Sequence, residues 1–303
     1  MTKEILIILS CVPLYVINSF CDKLISTKNG NEYNFIYNAV KFLICSLCML
    51  PLLFIGSAPV LTWGCLVCGI ACGLMYAISK TIMLKGYEIT SVAFMTLCHS
   101  AGMILPCIIG HFFWHEKLTV FSSIGILLAI TSIVLLKSAK SKEQKFDIKG
   151  AIYGATIFLS SAGVMIIQKL MGIYFVGESI GAYNFYSFFV AFLLIFCLMQ
   201  LKTKRNKKAR DSITHSIPSD SRKDKRLIII CAFLSAVSLS IISFVMTALS
   251  GVVPSVILFP LFNGLGIIFV CIVSVFSFKE KLTPMKIIGL ILGIFGLCLI
   301  YIK

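Results

Sequence analysis

Charge is what this sequence has least of. Of its 303 residues, 13% are Asp, Glu, Lys or Arg, and the acidic residues number 12 against 27 basic ones. A water-facing domain carries about a quarter charged residues, so an ordinary soluble protein is excluded. Acidic groups are especially rare within the apolar runs: Asp22, Glu88 and Glu178 fall at the ends of those runs and Glu4 opens the first. A carrier coupled through a buried carboxylate is therefore not evident. There is no G-x-x-x-x-G-K-[ST] stretch, which removes ATP-driven work through a phosphate-binding loop.

What is present is hydrocarbon. The chain is 59% hydrophobic with a mean hydropathy of +1.00, the composition of a polytopic membrane protein. Its formal charge of +15 sits mostly in loops, where Lys and Arg beside spanning helices set topology and meet anionic lipid. No nucleic-acid partner is expected. The thirteen cysteines lie almost wholly in apolar runs. Cys45-x-x-Cys48 and Cys65-x-x-Cys68 have the spacing of metal or redox pairs, but neither has a turn or strand to shape a site, and cysteine in a spanning helix acts as a small hydrophobe. No metal and no cofactor is expected. Met1 to Phe20 has a charged start and an apolar core but no small-residue cleavage site, so it reads as the first spanning helix.

A span needs about 20 mainly apolar residues. That criterion predicts ten: 4–21, 35–55, 62–84, 90–113, 120–137, 149–171, 181–201, 227–249, 254–278 and 284–302. Pro13, Pro51, Pro106 and Pro260 fall within them and predict kinks whose freed carbonyls are satisfied by neighbours. Gly69-x-x-x-Gly73 and Gly289-x-x-x-Gly293-x-x-Gly296 predict faces where helix backbones approach closely. Segment 202–226, with ten basic and three acidic residues, reads as a flexible loop.

One phrase is written twice: Glu116-Lys117-Leu118-Thr119 and Glu280-Lys281-Leu282-Thr283. At the same offset Ser91-Val92 falls on Ser255-Val256, Gly102 on Gly266, Cys107-Ile108 on Cys271-Ile272, Phe112 on Phe276 and Gly125 on Gly289. An ungapped match over roughly fifty residues is an internal duplication. Tyr33-Asn34-Phe35 and Tyr183-Asn184-Phe185 open the second and seventh spans, and Asp22-Lys23 and Gln168-Lys169 close the first and sixth. The repeated unit is thus five helices, 1–137 and 138–303, with loop 202–226 inside the second. Five is odd, so the second copy enters the membrane from the opposite side. The predicted fold is an all-α integral membrane protein with ten transmembrane helices as two inverted five-helix repeats, an arrangement typical of secondary carriers. Thr119 and Thr283-Pro284 read as helix starts, with each glutamate favourably placed just before one. On this reading the hinge is a solvated turn without chemistry.

Ten spans, an inverted five-helix duplication and paired Glu-Lys-Leu-Thr hinges together resemble the drug/metabolite transporter superfamily, most closely its EamA-like ten-helix members. The resemblance covers nearly the whole chain. It implies a carrier for small metabolites or amphipathic compounds, often an exporter. It also implies a cavity formed mainly by spans one, three, four, six, eight and nine, with five and ten at the edge. It implies termini in the cytoplasm, whereas the loop charges, about 21 basic residues on one face against about three on the other, put both termini outside.

Ionisable and polar groups inside spans are the candidates for lining the cavity. Lys80 follows Tyr76 by one turn on the third span, and Lys41 lies about two turns into the second. Both lysines can snorkel to the basic interface or attract an anionic substrate. His99 and Asn263 occupy matching places in the fourth and ninth spans, as interhelical hydrogen bonds or as cavity walls; a histidine there can also exchange a proton near neutral pH. Asn18, Tyr37, Asn38, Gln168 and Tyr186 complete the set. The expectation is a secondary transporter, exporter or exchanger, of a small organic solute in the bilayer of a bacterial cytoplasmic membrane, as a monomer or weak homodimer. The alternative is a membrane-embedded transferase acting on a lipid-linked substrate, with His111, His115 and Glu116 near one face as its acid/base group.

Overall fold

The computed structural model describes residues 2–28, 31–53, 61–89, 92–117, 119–138, 148–210, 221–278 and 284–301. Among them only helices and short turns occur: α1 (Thr2–Lys28), α2 (Asn31–Leu53), α3 (Trp63–Ile89), α4 (Val92–Ala101), α5 (Ile104–Phe113), α6 (Val120–Ser138), α7 (Ile148–Tyr174), α8 (Ile180–Arg210), α9 (Ser221–Ser250), α10 (Ser255–Phe278) and α11 (Pro284–Tyr301). Helices are the natural outcome for such apolar segments, because in hydrocarbon every backbone N–H and C=O must find its partner within the chain.

Eight stretches are long and apolar enough to cross a membrane, Phe94–Phe113 counting as one across α4 and α5; Val120–Leu135 and Ile287–Leu299 are shorter apolar helices. Large apolar side chains point outward along these helices, among them Leu127, Leu159, Phe233 and Ile291. Such a surface suits lipid and not water.

Helices run furthest past their expected ends in two places. α1 continues past residue 21 to Lys28, which puts Asp22 inside it. The basic stretch after residue 201 continues α8 to Arg210, and α9 begins at Ser221. Lys, Arg, Gln and Ala are good helix formers, so a helix leaving the membrane need not stop where its apolar run stops. Only 211–220 of the expected loop lies outside the described residues.

The fourth expected span is broken. Gly102 and Met103 form a turn, with Gly102 N–H and Met103 N–H donating to the carbonyls of His99 and Ser100. Pro106, three residues on, has no N–H to donate. Gly102 sits so close to α7 that a Cβ there would lie 2.8 Å from Ser161 Oγ, and Ser161 Oγ donates to the His99 carbonyl at 2.7 Å. The His99 carbonyl at the break, which already accepts Gly102 N–H, thus takes a second bond from a neighbouring helix. Pro260, by contrast, is carried inside the continuous α10.

Packing runs mostly between the two halves of the chain. α3 lies against α7 and α8, α9 against α1 and α2, α1 against α10, and α7 against α4. α2 meets α8, and α6 meets α11. The glycine faces do what their spacing predicts. A Cβ on Gly73 would lie 2.5 Å from the Ser187 carbonyl oxygen of α8, and one on Gly296 would lie 2.9 Å from the Gly125 carbonyl oxygen of α6. The largest apolar cluster gathers Ile8, Met103, Met246, Phe259 and Phe262.

Candidate functional site: a buried charge cluster at the seam

Asp22 is the centre of a polar cluster drawn from four helices. Its Oδ1 accepts from Lys41 Nζ at 2.8 Å and from the Tyr37 hydroxyl at 2.6 Å; its Oδ2 accepts from Lys80 Nζ at 3.2 Å. Lys41 also donates to Asn18 Oδ1 at 2.7 Å, and Ser235 Oγ of α9 donates to the same oxygen at 2.6 Å. α1 thus supplies Asn18 and Asp22 one turn apart, α2 supplies Tyr37 and Lys41 one turn apart, α3 supplies Lys80, and α9 closes the far side. At about 1.5 Å per residue, the three charged groups stand roughly 9 to 15 Å inside their nearest helix ends.

The charges are unequally buried. The Lys41 side chain is 0% exposed, Lys80 17% and Asp22 29%. A buried ammonium persists only when paired and hydrogen-bonded, and Lys41 has both an ion pair and a neutral acceptor. One turn from Lys80, the Tyr76 ring packs against Phe42 and Phe188, each with ring centroids 5.7 Å away.

Four of the predicted residues therefore meet: Lys41, Lys80, Asn18 and Tyr37, with Tyr76 adjoining. Gln168 belongs to a second, uncharged relay across α7, α9 and α8, in which its Nε2 donates to Ser243 Oγ at 3.3 Å and Ser243 donates to Asn184 Oδ1 at 2.6 Å. Asn38 and Asn263 each donate to the carbonyl one turn earlier on their own helix, Asn34 and Phe259. Tyr186 lies edge-on to Phe185. His99, half-buried, stands at the end of α4 beside the break. The hydrogen bonds that tie Asp22, Lys41 and Lys80 together run through Asn18, Tyr37 and Ser235 and not through these last four.

Asp22 and Ser235 were missed by sequence reasoning. The hydropathy run ends at the first charged residue, so Asp22 looks like a span end. The signal that could have found it is the pair of lysines inside spans, which require a carboxylate nearby. Ser235 carries no signal, since serine is common in membrane helices.

A second ion pair lies at the other end of the bundle. Lys169 Nζ of α7 is 2.8 Å from Glu116 Oε1, with side chains 4% and 9% exposed, and donates to the Val253 carbonyl at 2.9 Å. Glu116 Oε2 accepts the Ser255 N–H at 2.7 Å, so the carboxylate caps the positive start of α10. The turn makes this possible: α5 stops at Phe113, His115 takes a left-handed conformation with φ 52°, and Glu116 N–H donates back to the Gly110 carbonyl. The hinge is therefore not a solvated turn, and its glutamate serves α10 and not its own following helix. Thr119 does cap α6, its Oγ1 accepting from Ser122 N–H at 3.1 Å. The second hinge, 280–283, lies outside the described residues. With its carboxylate turned to Lys169 and Ser255, Glu116 meets His111 only through its backbone carbonyl, at 3.0 Å from Nδ1.

The cysteine pairs pack. Cys45 Sγ faces the Ala236 carbonyl and Cys65 Sγ the Ser179 carbonyl. Among the described residues no group of three His, Cys, Asp or Glu is placed to hold a metal ion. A groove of about 660 Å³ runs between α1, α10 and α11, lined by Leu6, Leu9, Leu261, Leu265, Ile294 and Leu297. It is apolar and includes none of the charged cluster, so the chemistry above carries more weight than that volume.

Comparison with known proteins points the same way. Residues 2–138 match the EamA-like transporter family, and residues 213–292 match the Small Multidrug Resistance protein family. Both are transporter families, and the chain is a membrane transporter of small compounds. No curated protein matches it. A solved chain described as "Crystal structure of protein" superposes with a TM-score of 0.74 at 13% identity, covering 99% of this chain and 96% of that one, which shows a shared fold. The transporter is an integral membrane protein for small compounds.

Proposed function

We propose that this chain is a secondary transporter, exporter or exchanger, that moves a small organic metabolite or amphipathic compound by alternating access between two inverted five-helix repeats, 1–137 and 138–303. Its home on this reading is a bacterial cytoplasmic membrane. The observation that carries the reading is the pattern of helix partners. Exchanging the halves turns α1–α9 into α7–α3, α2–α9 into α8–α3, and α1–α10 into α7 with the broken α4–α5. Each of these partners is found. A two-fold relation of this kind is what lets one scaffold open to either side.

The charge pairs take opposite roles in this cycle. Glu116–Lys169 ties α5, α7 and α10 together at one end of the seam and holds that end shut. Asp22, Lys41 and Lys80 stand toward the other end, where solute enters the described conformation. Between them runs the hydroxyl face of α9: Ser235 at the cluster, Ser243 at Gln168, and Ser250 donating to the Gln168 carbonyl at 2.8 Å.

The test is transport by purified protein in liposomes, loaded with and then challenged by a broad panel of metabolites. Counterflow of at least one solute is expected. If no solute moves in either direction, the proposal is wrong.

A further inference from the structure

We infer that the solute is a small organic anion whose negative group is held by Lys80. This rests on the transporter reading above and goes further by naming the substrate class. Charge is the first reason. Among the described residues the cluster holds two ammonium groups and one carboxylate, so one positive charge is left in a membrane-embedded site. An uncompensated charge away from water is costly, and a bound anion supplies the missing partner.

Donor availability singles out Lys80. Lys41 is fully enclosed and spends its N–H groups on Asp22 and Asn18. Lys80 is the more exposed of the two, and its contact with Asp22 is the longer one, at 3.2 Å. An ammonium has three donors, so Lys80 can take an oxyanion without giving up Asp22. A cation is disfavoured by the same geometry. Asp22 already accepts from Tyr37, Lys41 and Lys80, and a competing cation would have to displace the buried Lys41.

The surroundings suit an apolar body. Tyr76, one turn along α3, is half-buried and is backed by Phe42 and Phe188, both fully enclosed in the core. Where the first half has Asp22, the second has Gln168, bonded to neutral Ser243. The site is therefore charged at one pole, and the fitting solute is an amphipathic monoanion. Lys80 is a binding residue, and Lys41 a positioning residue that holds Asp22.

The test is thermal unfolding of the purified full chain, read by a thiol-reactive dye through its buried cysteines. It is run with small carboxylates (lactate, benzoate, indole acetate), phosphate monoesters (glycerol phosphate, phenyl phosphate), quaternary ammonium ions and neutral sugars. At least one anion should raise the midpoint by several degrees. Lys80→Gln should lose that shift and Lys80→Arg keep it. The carboxylate and phosphate arms tell the two oxyanion sources apart. Protection by cations or sugars alone, by no anion, or by an anion equally in Lys80→Gln overturns the inference. Liposome transport separates the two claims: movement only of a cation or sugar refutes the anion and leaves the carrier standing, whereas binding without movement of any solute refutes the carrier.

Discussion

Lys169 and Glu116 meet at 2.8 Å from opposite halves of the chain, and the glutamate also caps the first turn of α10. The pair is nearly closed off from solvent, so removing one partner strands the other. Lys169→Met should destabilise the protein by about 3–5 kcal/mol. Glu116→Gln combined with Lys169→Met should cost less than the two singles summed, with a coupling of about 1–3 kcal/mol. A double-mutant cycle by thermal unfolding measures it. Strict additivity would show that the pair does no joint work.

Asp22 pairs with two lysines, one of them fully buried. Asp22→Asn leaves both ammonium groups in the seam and should abolish a monodisperse peak in size-exclusion chromatography. Asp22→Asn with Lys41→Met removes the buried charge together with its partner and should restore the peak without restoring transport. A monodisperse, transport-competent Asp22→Asn single variant would refute this account of the cluster.

Helix approach at Gly73 leaves no room for a methyl group, with the Ser187 carbonyl 2.5 Å from where it would stand. Gly73→Ala should therefore lower stability by about 1–3 kcal/mol through overpacking, although alanine is the better helix former. A rise in unfolding temperature would mean that propensity wins over contact.

Tyr183 is fully enclosed, and its hydroxyl has no hydrogen-bond partner among the described residues. Burying a hydroxyl without a partner costs about 1–3 kcal/mol. Tyr183→Phe should raise stability by about that amount in the resting protein. If transport falls at the same time, the hydroxyl is used in another state of the cycle; unfolding midpoints and initial rates on the same preparation decide.

The membrane class was legible in the sequence because it follows from composition. Long apolar runs and the doubled Glu-Lys-Leu-Thr phrase need no contact to be known. Lys41 and Lys80 were visible for the same reason, since a charge inside an apolar run stands out at once. The glycine faces were legible too, because helical spacing alone puts Gly69 beside Gly73.

Contacts were another matter. That Asp22 belongs with Lys41 and Lys80, that Glu116 reaches across to cap α10, and that Asn38 and Asn263 bond back to their own helices depends on how helices rotate and how far they run past their apolar cores. By itself the sequence determined a membrane-embedded chain with a doubled phrase and two lysines set inside apolar runs. Only the tertiary structure decided which acid answers them, because a side chain's partner is fixed by the packing of helices distant in sequence, and small residues such as Ser235 join a site through position alone.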